Sequence, residues 1–281
     1  MLGEPGQVLR AAVLGSPIGH SLSPVLHRAG YAAAGLRDWQ YEAHEVVAAD
    51  LPEVVAALGA EWRGLSLTMP LKEVAADVAT TVDEVARRAA AVNTLVRRAD
   101  GGWDGTNTDV VGIVRALRPH LPGGGSRALV LGAGATARSA VLALAELGVT
   151  TLTVRARDTS RAADLLAWAL DLGVGVRNGS AAALGPWATT GDDVVVSTVP
   201  SAAGEAVAAT VPAVHSGVLL DVVYAGWPTP LARAGHDAGM TVVSGLDMLV
   251  HQAAEQFRLF TRREAPVEAM AAAGRAALEQ A

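Results

Sequence analysis

The chain has 281 residues, a net charge of −6 at pH 7 and 51% hydrophobic content, while aromatic residues make up only 4%. That length supports a large core divided over two domains and filled by alanine, valine and leucine, and the acidic balance with scattered arginines excludes nucleic acid or an anionic membrane as the main partner. With no cysteine there is no disulfide, thiolate nucleophile or Cys-ligated metal, and the histidines show no metal-ligand spacing. The opening MLGEPGQ lacks a signal-peptide pattern and no apolar run is long enough to span a bilayer, so a soluble, cytoplasmic protein is expected.

Apolar strands alternate with helical stretches, an α/β pattern. Arg10 to Leu14 reads as a strand, followed by the polar loop GSPIGHSLS and a helix that starts near Pro24 with Ser23 as its N-cap. Trp39 to Val47 is a second strand, Leu51 to Leu58 a helix capped by Asp50, and Gly64 to Thr68 a third strand. Just past its C-terminal end, where α/β proteins place ligands, lies Lys72 in the run SLTMPLKE. Asn93 to Arg98 and Gly102 to Asn107 form two strands joined at Asp100 and Gly101, and a helix follows from Thr108 to His120. After LPGGGS, the stretch from Arg127 to Gly148 runs from an apolar strand through a glycine turn into a long alanine and leucine helix. Thr151 to Arg157, Asp193 to Thr198, Val218 to Val222 and Met240 to Val243 continue a parallel set. From Leu246 a helix carries the stripe Leu246, Val250, Ala253, Phe257 and Phe260, with Gln252 on its flank, a position that is usually solvated.

Lys72 is the only lysine among 22 basic residues. A chain that meets every other need for positive charge with arginine marks this position as one where arginine does not serve, because lysine can lose its proton and arginine cannot. The plain alternative is a solvated loop lysine. Gly132, Gly134 and Ala137 match GxGxxA between strand and helix, which reads as a Rossmann dinucleotide site: a tight turn, an approach for pyrophosphate and close helix–strand packing. At the end of the next strand stand Arg155, Ala156, Arg157 and Asp158, with Arg161 one turn on. Arg157 and Arg161 suit a 2′-phosphate and favour NADP, whereas Asp158 would repel it and admit NAD. The alternative is a pair of exposed arginines at a helix start with Asp158 as N-cap.

Seven segments, in order and along nearly the whole chain, resemble the shikimate/quinate dehydrogenase family: GSPIGHSLSP, SLTMPLKE, AVNTL (Ala91 to Leu95), NTD (Asn107 to Asp109), GAGATAR (Gly132 to Arg138), DVVYAGWPTP around Tyr224, and GLDMLVHQA (Gly245 to Ala253). The resemblance implies a substrate domain of residues 1–109 and 245–281, a Rossmann domain of residues 110–244, and a cleft between them. It implies NADPH-dependent reduction of 3-dehydroshikimate to shikimate in aromatic amino-acid biosynthesis, with Lys72 and Asp109 as the catalytic pair. Ser21 and Ser23 would hold the ring carboxylate with Tyr224 nearby, and Thr68, Asn93 and Gln252 the hydroxyls. NADP would meet Gly132, Gly134, Ala135, Arg155, Arg157, Arg161, Thr198, Gly245 and Met248. No metal, nucleic acid or membrane partner is implied, and the state would be monomer or homodimer. Ser66 and Thr106 replace the family's common asparagine and aspartate, with Ser66 expected to keep a hydroxyl at the substrate wall. Ala156 replaces an asparagine, Asp158 a small hydroxyl residue and Asp247 a frequent glycine. Quinate or aminoshikimate dehydrogenase with NAD, another two-domain dehydrogenase such as a methylenetetrahydrofolate enzyme, and an NADP-binding sensor are the other readings.

Overall fold

The computed structural model describes residues 8–173, 175–187 and 193–280; the opening MLGEPGQ lies outside them. The chain divides into two compact units, Met1–Asp109 with Leu249–Ala281, and Val110–Met248.

The first unit contains β1 (Leu9–Gly15), α1 (Ser23–Ala33), β2 (Trp39–Glu45), α2 (Leu51–Ala56), β3 (Trp62–Leu67), β4 (Thr81–Val82), α3 (Glu84–Ala89), β5 (Thr94–Arg97) and β6 (Trp103–Thr106). The strands form one sheet in the order β2-β1-β3-β5-β6-β4, with β1 parallel to β2 and β3, and β5 antiparallel to β3 and β6. Alternation along β1 explains its two cores. Ala12 and Leu14 pack with Leu51, Leu65 and Leu67 on one face, while Ala11 and Val13 pack with Tyr31, Tyr41, Phe257 and Phe260 on the other. At Gly64 the backbone passes so close to Phe260 that a Cβ would overlap its ring.

Two caps differ from expectation. Ser23 is the first helical residue rather than the N-cap: Leu22 occupies that place, and Ser21 Oγ accepts the Ser23 N–H at 3.3 Å. Asp50 has helical dihedrals and makes no side-chain cap, so α2 runs from a preceding turn without one.

α4 (Asp109–Leu117), from Val110 onward, opens the second unit, which continues with β7 (Arg127–Leu131), α5 (Ala135–Glu146), β8 (Thr151–Ala156), α6 (Thr159–Asp171), β9 (Asn178–Ala183), β10 (Val194–Ser197), α7 (Gly204–Ala208), β11 (Val218–Asp221), α8 (Pro230–Asp237) and β12 (Thr241–Ser244). Its six strands are all parallel, in the order β12-β11-β10-β7-β8-β9. Central strands are fully buried, as β10 shows with Val194, Val195, Val196 and Ser197, the continuous apolar reading expected where both faces are covered. The chain then continues into α9 (Gly245–Thr261), whose residues from Leu249 onward belong to the first unit, and α10 (Val267–Glu279), which packs on α1. No helix among the described residues is long and apolar enough to cross a membrane.

Candidate active site

In the first unit, the loop after β3 carries Lys72. Its carbonyl accepts the Val92 N–H at 2.7 Å, which ties the loop to the segment before β5. Asp109 is brought beside it by Asn107, whose side chain donates to Ala91 O at 2.9 Å and accepts the Asp109 N–H at 3.0 Å. Lys72 Nζ thus lies 2.5 Å from Asp109 Oδ2, with side-chain exposures of 16% and 5%. Asp109 begins α4, where the helix N-terminus favours a negative charge. Its other oxygen accepts Asn93 Nδ2 at 2.8 Å. Asn93 Oδ1 in turn accepts the Thr108 N–H at 2.8 Å and the Thr94 hydroxyl at 2.7 Å. Gln252 lies 3.5 Å from Asn93 Nδ2 through Oε1 and donates to Leu249 O; it is buried, not solvated as a flank position suggests. A protonatable amine, a carboxylate and convergent neutral donors in a nearly dry setting suit proton transfer to or from a polyhydroxylated small molecule.

In the second unit, the β7–α5 turn has the geometry its glycines suggest. Gly132 sits at φ +106°, and a Cβ there would collide with the Thr198 hydroxyl, itself held on Leu131 O at 2.9 Å. Gly134 faces open space, and α5 begins without a side-chain cap, so its first amides are not taken by one. Arg161 Nη2 reaches Ala133 O at 3.4 Å, which brings its guanidinium to this turn. Arg157 is exposed and has no hydrogen bond or ion pair among the described residues. Asp158 is the N-cap of α6: Oδ1 accepts Ser160 Oγ at 2.6 Å, Ser160 N at 2.9 Å and Arg161 N at 3.4 Å. Those bonds, chiefly from Ser160, lower its carboxyl below the ordinary range. Uncapped amides, a glycine with room above it and a free arginine fit a dinucleotide carrying a 2′-phosphate. Arg155 Nη1 instead donates to Gly185 O at 3.2 Å.

Of the residues singled out in the sequence, Ser21, Ser23, Thr68, Lys72, Asn93, Asp109 and Gln252 belong to the first unit, and Tyr224, Gly245 and Met248 to the second with the glycine turn. Gly245 meets the end of β11 so closely that a Cβ would overlap Val222 O. Ser66 does not keep a hydroxyl at the wall: it is 4% exposed, and Oγ is used internally by Tyr41 and Gln256. Thr108, Gln256 and Tyr41 were not apparent from the sequence. Gln256 follows Gln252 by one helical turn, so both share a face of α9, and that spacing was the available signal. Asp221 closes β11. Burial raises its carboxyl, and it accepts Thr229 Oγ1 at 2.6 Å and so braces the loop that carries Tyr224.

A Rossmann-type parallel sheet with a glycine turn, in one chain with an α/β unit that holds a part-buried lysine–aspartate pair, defines a two-domain dinucleotide-binding protein. Family models described as the shikimate dehydrogenase substrate binding domain and the shikimate 5'-dehydrogenase C-terminal domain match residues 13–95 and 245–273. A shikimate dehydrogenase (NADP(+)) of Halorubrum lacusprofundi is 39% identical over 277 residues, covering 95% of this chain and 98% of its own. The crystal structure of Mycobacterium tuberculosis shikimate dehydrogenase matches with a TM-score of 0.85 and 45% identity over 95% of this chain and 99% of that one. The Thermus thermophilus enzyme in complex with NADP(H) and shikimate matches with a TM-score of 0.82 and 33% identity, over 96% of this chain and 100% of that one. The chain belongs to the shikimate dehydrogenase family.

Proposed function

We propose that the protein catalyses the reversible NADPH-dependent reduction of 3-dehydroshikimate to shikimate, a step of aromatic amino-acid biosynthesis. The observation that carries this reading is the 2.5 Å Lys72–Asp109 pair with Asn93 behind it, in a chain of this family. When bound, the dinucleotide supplies or accepts the hydride. Reduction of the ring carbonyl leaves an alkoxide, and protonated Lys72 gives that oxygen its proton. In the oxidation direction the neutral amine takes the proton from the hydroxyl. Asp109 orients the ammonium, and the Asn93 amide keeps Asp109 in place. Ser21 and Ser23 hold the ring carboxylate with Tyr224 near it, and Thr68, Asn93 and Gln252 bind ring hydroxyls. The turn residues Gly132, Gly134 and Ala135 with Thr198 hold the pyrophosphate side of NADP, Arg157 and Arg161 its 2′-phosphate, with Arg155 beside them, and Gly245 and Met248 flank the nicotinamide. Asp158 does not stand as a free ribose acceptor, because its Oδ1 caps the α6 N-terminus.

Initial rates with shikimate and with quinate, each against NADP and NAD, test the reading. Shikimate with NADP is expected to exceed every other combination by more than about tenfold in kcat/KM. Turnover mainly with quinate or with NAD would overturn the substrate or cofactor assignment respectively.

A further inference from the structure

A file of hydrogen bonds, with side branches to Thr108, Gln252 and the Asn93 carbonyl, crosses the interior of the first unit and ends at Asp109. Tyr41 OH donates to Ser66 Oγ at 2.6 Å, Ser66 Oγ to Gln256 Oε1 at 2.8 Å, and Gln256 Nε2 to Thr94 Oγ1 at 2.8 Å. Thr94 Oγ1 donates to Asn93 Oδ1 at 2.7 Å, and Asn93 Nδ2 to Asp109 Oδ1 at 2.8 Å. All five side chains before Asp109 are at most 4% exposed, so none can turn to bulk water for a replacement partner.

The chemistry of the groups fixes the direction of the file. Burial raises the Tyr41 hydroxyl well above its ordinary range, so Tyr41 stays a donor. A serine hydroxyl has one proton; having accepted from Tyr41, Ser66 sends its own to a carbonyl that can only accept. The Gln256 amide is oriented with its NH2 towards Thr94 because the same nitrogen also donates to the Asn93 main-chain carbonyl at 3.3 Å, which can only accept, and the one proton of Thr94 goes to Asn93 Oδ1. Asn93 then presents Nδ2 to the carboxylate. A flipped Asn93 would set its carbonyl against Asp109 Oδ1 and would also lose the Thr108 N–H. Lys72 is the one charged group that pairs with Asp109 among the described residues.

We propose that Ser66 and Gln256, with Tyr41 orienting Ser66, are positioning residues for the proton-transfer pair: through Thr94 they lock the Asn93 amide so that it donates to Asp109 and leaves Oδ2 to Lys72. The inference rests on the reading of Lys72 and Asp109 given above. It makes a position that lies off the substrate wall a determinant of the rate.

The single lysine provides a readout that does not depend on turnover. In protein labelled with carbon-13 lysine, the one side-chain Cε signal belongs to Lys72 and senses protonation of its partner. A carboxylate that loses an N–H donor is protonated more readily, so in Ser66→Ala and in Gln256→Leu the acid-side inflection of this signal is expected to move up by about half a pH unit or more. In the same variants kcat for shikimate falls about tenfold, with KM for NADP unchanged. Ser66→Thr, which keeps the hydroxyl, restores both. An unchanged Lys72 titration in both variants, whatever their melting temperature, would overturn the relay. Wild-type turnover by Lys72→Ala would instead defeat the catalytic reading of the pair, an outcome distinct from an unchanged titration.

Discussion

Lys72 Nζ and Asp109 Oδ2 are 2.5 Å apart although the residues are 37 positions apart in the chain, and both are tied to the Ala91–Asn93 segment, Lys72 by its carbonyl on the Val92 N–H and Asp109 through the Asn93 and Asn107 side chains. One short stretch before β5 thus sets the geometry of the pair. Lys72→Ala is expected to lower kcat by about 10²- to 10⁴-fold, the usual worth of a general acid–base group. It also leaves a buried carboxylate without its cation, so stability falls, by up to about 3 kcal/mol. Dinucleotide affinity, measured by fluorescence titration, should stay within about twofold, since that site lies in the other unit. Near-normal kcat would remove Lys72 from the mechanism.

Arg157, just past the end of β8, has no hydrogen bond or ion pair among the described residues, whereas Asp158 beside it is committed to the α6 cap. Arg157→Ala should therefore raise KM for NADP about tenfold and leave any NAD activity unchanged. Asp158→Asn keeps a capping oxygen, and the NADP to NAD ratio should shift by less than about twofold. An equal loss with both dinucleotides in Arg157→Ala would mean that the arginine supports the fold instead.

The second sheet was legible because each central strand is a short run of valine and leucine entered from polar or glycine-rich turns, and because Gly132, Gly134 and Ala137 sit between a strand and a helix. β9 was not legible: Asn178–Ala183 is a mostly exposed edge strand of small residues with no alternation, and main-chain pairing to β8 defines it. The N-terminus of α1 misled for a local reason, since Ser-Pro fits a cap rule while Ser21 Oγ already accepts the Ser23 N–H. In the site, composition alone singled out Lys72. Asn93 and Gln252 entered through the resemblance, and Gln256 through neither. A glutamine on a helix flank reads as solvated until β3 and β5 are known to lie against it with Ser66 and Thr94 facing it.

Gly64 tests the packing that brings α9 to this sheet. The Phe260 ring occupies the space a Cβ would need, and Phe260 is itself buried among Tyr31, Tyr41 and Phe257. Gly64→Ala is expected to cost about 1–3 kcal/mol through overpacking. Adding Phe260→Leu should return part of that loss, because the smaller side chain vacates the contact, and a double-mutant cycle by urea denaturation measures the coupling. Strict additivity would show that the two sites do not share the space.

His27 sets an acid limit on stability. Its ring is 0% exposed, stacks on Tyr41 with centroids 4.1 Å apart, and has no hydrogen-bond partner on either nitrogen among the described residues. Burial lowers its pKa from 6.5 to about 3; the nearby Gln256 amide offsets only part of this and is outside hydrogen-bonding geometry. Between those two values the unfolded chain binds a proton that the folded chain refuses, so stability rises with pH and falls on acidification. The slope approaches about 1.4 kcal/mol per pH unit well below the unfolded value, and above it the residue contributes no pH dependence. His27→Leu, close in volume and without a titrating group, should lose stability less steeply from about pH 6 to pH 4 than the wild type, measured by urea denaturation. Carboxylates titrate in the same range in both proteins and cancel in the comparison, so parallel acid profiles would show that His27 takes up its proton without unfolding the chain.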